Sequence, residues 1–317
     1  MEIELNDEAA EYGRQASRAI ESAGGDRLIE AAEADPDRRG AVVEPVLTQL
    51  GAWDLDVRGS TDELEAAAAL CRSVGYWAAP VPVAERLARP PDLDVDGLVV
   101  VADVRPSAAV VGTDVRWAAV HLDGHRSLVT GATSVGEPRK TGFVADLELT
   151  AIAGDDPADT DLALGLVLPC WTLLGMIDRA IELTSRYVLD REQFGQKLAS
   201  FQGVQFQLTD AEVERSGVEA LAKYALWSVA ERRPEAVEDA LALRSAAIEA
   251  ADIVFRISHQ LHGAIGFCDE TTLSWISRYS QPLRRLPLGL AGTHAELTRR
   301  LGRHGLTGLF SDIAARS

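Results

Sequence analysis

Positive charge is scarce in this chain: 31 Lys and Arg stand against 49 Asp and Glu, a net charge of −18. A phosphate backbone needs clustered cations, so this balance excludes nucleic acid as a partner and disfavours docking on an anionic membrane. Cysteine is scarce too. Cys71, Cys170 and Cys268 share no disulfide or metal spacing, so no metal site is expected, and buried reduced thiols in a cytoplasmic protein are. The longest uncharged run, 162–177, is shorter than the ~20 residues of a membrane span and contains Pro169, so it reads as a buried helix. The acidic opening Met1–Glu8 does not resemble a secretory signal. Repeats and low-complexity tracts are absent from the sequence, which sets aside solenoids and long disordered tails.

What is present suits a soluble globular chain. Hydrophobic residues make up 47% of 317 positions, enough for two or three units around sizeable cores. Residues 1–88 read as helical: Ala9, Ala10, Ala16, Ala19 and Ile20 recur at helical spacing, as do Val43, Val46, Leu47 and Leu50. Ser60-Thr-Asp-Glu63 carries cap chemistry ahead of an apolar run. After Arg89-Pro-Pro91 the character changes. Leu98–Val104, Trp117–Leu122 and Phe143–Leu149 are short, β-branched or alternating segments between Gly and Pro turns. Val129–Ser134 reads as a surface turn.

From Asp161 onward the pattern is helical again. Helices are expected over 162–190, 204–231, about 234–263, 271–279 and 292–303. Phe206, Ala211, Val218, Leu221, Ala225 and Val229 are available for packing on the second. The third is apolar on several sides, as in a bundle. The fold class is therefore α+β, mostly α. It comprises an N-terminal helical domain (1–88), a short central β domain (89–156) and a C-terminal four-helix bundle (157–317).

Two motifs in the bundle carry chemistry. The first is Arg191-Glu-Gln193-Phe194-Gly195, followed by Phe201-Gln202. A guanidinium fork matches a pyrophosphate, Phe194 can cover a heteroaromatic ring, and Gln202 offers an amide donor and acceptor. Taken alone, Arg191 would cap a helix C-terminus and Phe194 would sit in the core. The second is Gln260-Leu-His262-Gly263-Ala264-Ile-Gly266-Phe267. Its glycines allow close backbone approach, and amides after such a turn can meet phosphate. Alone, it would be an ordinary helix stop.

Together, in this order, the motifs resemble the C-terminal domain of the acyl-CoA dehydrogenase family, with Ala264 standing where the family prefers Gly. Leu47–Gly51 and Tyr76–Val83 are similar to N-terminal segments of the same family. In that family both motifs reach across a subunit interface to the pyrophosphate and adenine end of FAD held mainly by the neighbour. The resemblance thus implies that Arg191, Gln193, Phe194, Phe201, Gln202, Gln260, Gly263 and Ala264 contact a partner's flavin.

The same resemblance shows what is missing. Family members remove the α proton of an acyl-CoA with a carboxylate base. Its usual position falls near Pro287, its alternative near Gly165, and neither is acidic. The Arg that usually meets CoA at the start of the first bundle helix is replaced by Asp159-Thr-Asp161. The β region leaves no room between Arg89 and Leu98 for the loop that hydrogen-bonds the isoalloxazine. Among other acids, Glu182 and Glu214 suit solvated faces, Glu249 lies in an apolar helix, and Glu270 suits a helix cap. His259 and His262 lack a visible orienting partner.

No catalytic residue is therefore assigned. The expectation is a subunit that lacks the base and supports the FAD of a larger acyl-CoA dehydrogenase chain. The assembly would be an α2β2 heterotetramer like those of actinobacterial enzymes acting on steroid side-chain CoA thioesters, with electron-transferring flavoprotein as acceptor. Two alternatives stand beside it: a self-sufficient homo-oligomeric dehydrogenase with a relocated base such as Glu249, and a flavin-free helical scaffold.

Overall fold

The computed structural model describes residues 4–134, 143–152 and 158–304. The expected boundary between 156 and 157 and the last residues of the bundle segment lie outside these. The first helix, α1 (Asp7–Ala23), starts where the Asn6 side chain accepts the Ala9 N–H at 2.7 Å. Then come α2 (Leu28–Ala34), α3 (Val43–Gln49), α4 (Thr61–Tyr76) and α5 (Val83–Leu87). At α4 the Ser60 hydroxyl accepts the Glu63 N–H, as the cap residues predict.

Five strands follow: β1 (Gly97–Val101), β2 (Ser107–Ala108), β3 (Trp117–His121), β4 (Arg126–Ser134) and β5 (Ala145–Ala151). They lie in the order β1-β3-β4-β5-β2, with β1 and β3 parallel and the other pairs antiparallel. Strand β4 includes Val129–Ser134, which the sequence presents as a turn. Its Thr, Gly and Ser residues lack apolar alternation, and the pairing comes from β5, with a register shift between Val129 and Gly131. On β1, Leu98 and Val100 join the main core while Val99 and Val101 face a second, smaller one, so this strand is covered on both faces.

The remaining helices are α6 (Asp159–Asp190), α7 (Gln202–Ala230), α8 (Ala236–His262), α9 (Thr272–Tyr279), α10 (Gln281–Arg285) and α11 (Leu290–His304). A two-residue-per-strand hairpin, β6 (Glu192–Gln193) and β7 (Gln196–Lys197), separates α6 from α7. Helix α6 is long and apolar enough to cross a membrane, but 83% of its most apolar window is buried inside the protein, which makes it the core helix. The helix α8 is buried on several sides, as its sequence predicts.

Helices α4 and α6 meet backbone to backbone. A Cβ on Gly75 would lie 1.8 Å from the Thr172 carbonyl oxygen, and one on Gly175 would lie 1.9 Å from that of Arg72. Beside this crossing, the Asp178–Glu182 segment turns inward, not to solvent as expected. Arg72 on α4 binds Asp178 at 2.6 Å and Glu219 on α7 at 3.1 Å. Arg179 is buried and binds Asp26 at 2.6 Å, the Tyr76 hydroxyl at 3.0 Å and Glu182 at 3.3 Å. Charged groups enter this interface because Arg72, Asp178 and Arg179 each find an opposite partner on another element, which offsets the penalty of burying the charge.

Two further expectations are corrected. On α7, Ala211, Val218, Ala225 and Val229 are buried, but Phe206 and Leu221 face outward at 59% and 39% exposure. Of the cysteines, Cys71 and Cys170 are buried, and burial pushes the Cys170 thiol up to about 11, whereas Cys268 is exposed.

Candidate functional site

Helix α6 ends at Asp190, and the chain leaves it extended at Arg191. The Arg191 N–H closes the last turn on the Tyr187 carbonyl at 2.8 Å, and its own carbonyl accepts the Leu198 N–H at 2.9 Å. The backbone of Arg191, not its guanidinium, therefore caps the helix. The side chain is exposed and has no hydrogen bond or ion pair among the described residues.

The hairpin turns on Phe194 and Gly195, with φ of 54° and 80°. Two successive positive φ values match the twist of a tight two-residue hairpin, where Asn-Gly is usual and a bulky aromatic is strained. Phe194 is 91% exposed, not in the core where the first motif taken alone would put it. Its ring meets Phe201 edge-on at 6.3 Å. Phe201 is the N-cap of α7 and no side chain caps that end; the first turn holds no acid, and Gln202 is exposed. The start of α7 thus presents free N–H groups and the positive end of a helix dipole. Gln193 is exposed on β6. Lys197 is not free: its ammonium donates to the Asp190 carbonyl at 3.0 Å and pairs with Glu192 at 2.9 Å.

The second motif sits at the end of α8. Gly263 has φ 66° and ψ −147°, a turn that only glycine adopts readily, and leads into a short 3-10 turn through Phe267. Gln260, Gly263 and Ala264 are exposed. What joins the motifs is a stack of Tyr187 on His262, with ring centres 4.4 Å apart and planes 19° from parallel. It puts the C-terminal ends of α6 and α8 side by side, so Arg191 and Gly263 belong to one end of the bundle. His262 Nδ1 donates to the Ser258 carbonyl at 2.8 Å. His259 lies 2.9 Å from the Ser277 hydroxyl and stacks on Phe267 at 4.3 Å. Burial lowers the pKa of both imidazoles, which favours their neutral forms.

The other end of α6 is closed. Gly165 and Pro287, the two positions where a base was sought, line one cavity of about 60 Å³. Val100, Leu166, Glu85 and Arg244 complete the part of the wall that matters here. A second cavity of about 40 Å³ shares Glu85 and Pro82 with it. Such volumes hold a few waters and no acyl chain. Arg244 is buried and spends its guanidinium on the carbonyls of Leu283 at 2.9 Å, Leu288 at 2.9 Å and Leu286 at 2.5 Å. Burial raises the pKa of Glu85, opposed by its own backbone N–H and by Arg39. Glu249 does not line this cavity. It is half-exposed and lies 3.7 Å from His294 Nε2. Glu214 is half-buried, against an expected exposed face, and Glu270 is exposed. Glu270 does not cap α9, because Thr271 occupies the N-cap and no side chain caps it.

Residues 158–302 match the family described as Acyl-CoA dehydrogenase, C-terminal domain. That segment is an acyl-CoA dehydrogenase C-terminal domain. The acyl-CoA dehydrogenase FadE27 of Mycobacterium tuberculosis is 28% identical over 188 residues, 55% of this chain and 47% of the relative. FadE28 of the same organism is 34% identical over 92 residues, 29% of this chain and 27% of that protein. The chain thus aligns with about half the length of the first relative and less of the second. Across the whole chain the acyl-CoA dehydrogenase fold is shared with solved structures. A chain of the ChsE4–ChsE5 complex of Mycobacterium tuberculosis superposes with TM-score 0.73 at 18% identity, over 97% of this chain and 100% of that one. A variant of the Tcur3481–Tcur3483 steroid ACAD gives 0.75 at 21%, over 96% and 100%.

The sequence reading missed Tyr187, within the matched domain, and Glu85, on α5 outside it. Tyr187 lies one helical turn before Arg191, so helical spacing alone places it beside the motif. Nothing in the local sequence of Glu85 signals a cavity, because most of its walls come from segments distant in the chain.

Proposed function

We propose that this chain is the small subunit of an α2β2 FAD-dependent acyl-CoA dehydrogenase. A larger sister subunit holds most of the flavin, the base and the substrate, and this chain lends the far end of the dinucleotide site. The observation that carries the reading is the open end of the bundle. An unpaired guanidinium at Arg191, an uncapped start of α7 and a strained, 91% exposed Phe194 all point away from the chain's own core. Those groups fit a pyrophosphate: a cationic fork, free helix N–H groups and a glycine turn at Gly263. When bound, the flavin accepts the hydride from the acyl-CoA. Arg191 would hold anionic oxygens, Phe194 and Phe201 would exclude water, and Gln193, Gln202, Gln260 and Ala264 would border the nucleotide.

The closed end supports the same reading. Both base positions of the family are apolar and line a cavity of about 60 Å³. The self-sufficient alternative loses its candidate, because Glu249 is exposed and outside that cavity. Two solved structures with this fold are two-component complexes by name, one of them a steroid ACAD. A steroid side-chain CoA thioester is therefore our substrate class, with electron-transferring flavoprotein as acceptor.

Co-expression with candidate larger acyl-CoA dehydrogenase chains, followed by flavin absorbance per purified assembly, tests this. Two flavins per α2β2 assembly are expected. Four flavins, or a yellow homo-oligomer that reduces a dye with acyl-CoA, would sink it. Neither flavin nor partner co-purifying would favour the scaffold alternative.

A further inference from the structure

The two glycines of the second motif have different roles. A Cβ on Gly263 would meet nothing within 4 Å, and its φ is 66°, so it serves a turn that faces open space. A Cβ on Gly266 would lie 2.9 Å from His262 Cβ and 3.3 Å from His259 Nδ1. Gly266 therefore lets the turn close down on two imidazole rings, and the turn takes its shape from them. Each ring is held from two sides. His262 is buried, stacks on Tyr187 of α6 and donates its Nδ1–H to the Ser258 carbonyl at 2.8 Å. His259 stacks on Phe267 with planes 13° from parallel, and its Nε2 lies 2.9 Å from the Ser277 hydroxyl on α9. The exit of the turn is tied as well: the Thr271 hydroxyl donates to the Ile265 carbonyl at 2.9 Å.

Tyr187 is also fixed to the first motif, because its carbonyl accepts the Arg191 N–H. Direct contacts thus run from Arg191 through Tyr187 and His262 to the Gly263 turn. The Tyr187 hydroxyl has no hydrogen bond among the described residues, so the ring and not its polar end makes this contact. We propose that Tyr187 and His262 are positioning residues of the dinucleotide site: their stack holds the Arg191 guanidinium at a fixed place relative to the amides after Gly263, so that both reach one pyrophosphate. This inference rests on the flavin reading above. A site made of two pieces on two helices needs such a brace, because an error of about 1 Å in either piece is enough to spoil it.

The test is a double-mutant cycle on FAD retention in the assembly with its partner, with the melting temperature of every variant measured beside it. Tyr187→Leu is expected to weaken retention about tenfold, and Tyr187→Phe, which keeps the ring, by less than about twofold. In an Arg191→Ala background the Tyr187→Leu loss should shrink to about twofold or less, because the brace acts through the guanidinium. His262→Leu removes the other ring and should give the same non-additive loss, so it serves where Tyr187→Leu fails to assemble. A merely structural role predicts a lower melting temperature and a loss that simply adds to that of Arg191→Ala. The full loss in both backgrounds, or none in the wild-type background, overturns the proposal. So does Tyr187→Phe behaving like Tyr187→Leu. If Arg191→Ala alone leaves retention unchanged, the flavin reading itself fails and takes this one with it.

Discussion

The two ends of α6 differ in almost every respect. Near its start, Gly165 faces a small cavity whose other walls include Leu166, Val100 and Pro287. At its finish, Arg191 and Phe194 stand exposed, and the guanidinium has no hydrogen bond or ion pair among the described residues. On the reading proposed above, one end of the helix carries groups that would grip an anion, and the other has no acid at Gly165. Gly165 and Arg191 sit 26 residues apart on a rigid rod, roughly 39 Å at helical rise, so on that reading binding and chemistry are separable. A change at one end need not disturb the other.

The comparison can be broken most severely at the closed end. Leu166→Ala should cost about 2–5 kcal/mol of unfolding free energy, because a fully buried side chain leaves a void beside an existing cavity. Urea denaturation measures it, and a loss below about 1 kcal/mol would mean the wall collapses freely. At the open end, Arg191→Ala should weaken FAD retention in the assembled protein by about 1.5–3 kcal/mol, as for a charged hydrogen bond. The same change should leave stability within about 0.5 kcal/mol, because the exposed side chain has no hydrogen bond or ion pair among the described residues. Equal flavin content after dialysis would remove Arg191 from the site.

A smaller effect is expected at the hairpin tip. Phe194→Gly should relieve the left-handed strain and raise stability by up to about 1 kcal/mol, while flavin retention falls. A loss of stability would mean the ring is anchored. The smallest effect concerns Glu85. Its folded pKa lies above the ordinary 4.5, so the stability linked to its neutral form is complete below that value. It is lost as pH rises through the folded value. Glu85→Gln should therefore raise the melting temperature at pH 8 and leave it unchanged near pH 4. A gain of the same size at both would show that the carboxyl is not held neutral.

Much of the bundle was legible because its signals are local. Periodicity marked the helices of the C-terminal half, and the Phe-Gly pair marked the turn after α6. The misreadings have a common cause. Strand β4 owes its existence to β5, the inward turn of Asp178 and Arg179 to α4, and the cavity at Glu85 to segments far apart in the chain. Phe194 read in isolation goes wrong for the opposite reason, whereas the two motifs read together already turn it toward a ligand. An aromatic ring is expected inside, and only the positive φ of its backbone shows that the chain holds it out.

The paired glycines at positions 75 and 175 carry a consequence beyond packing. Where α4 crosses α6, each helix offers a hydrogen atom to the other's carbonyl oxygen, and a single methyl group would force the two apart. The dimensions of the whole frame are therefore set at a place where no ligand arrives and no proton moves. Sequence drift can strip reactive groups from a lineage of such proteins and leave its architecture intact, so long as those two hydrogens remain.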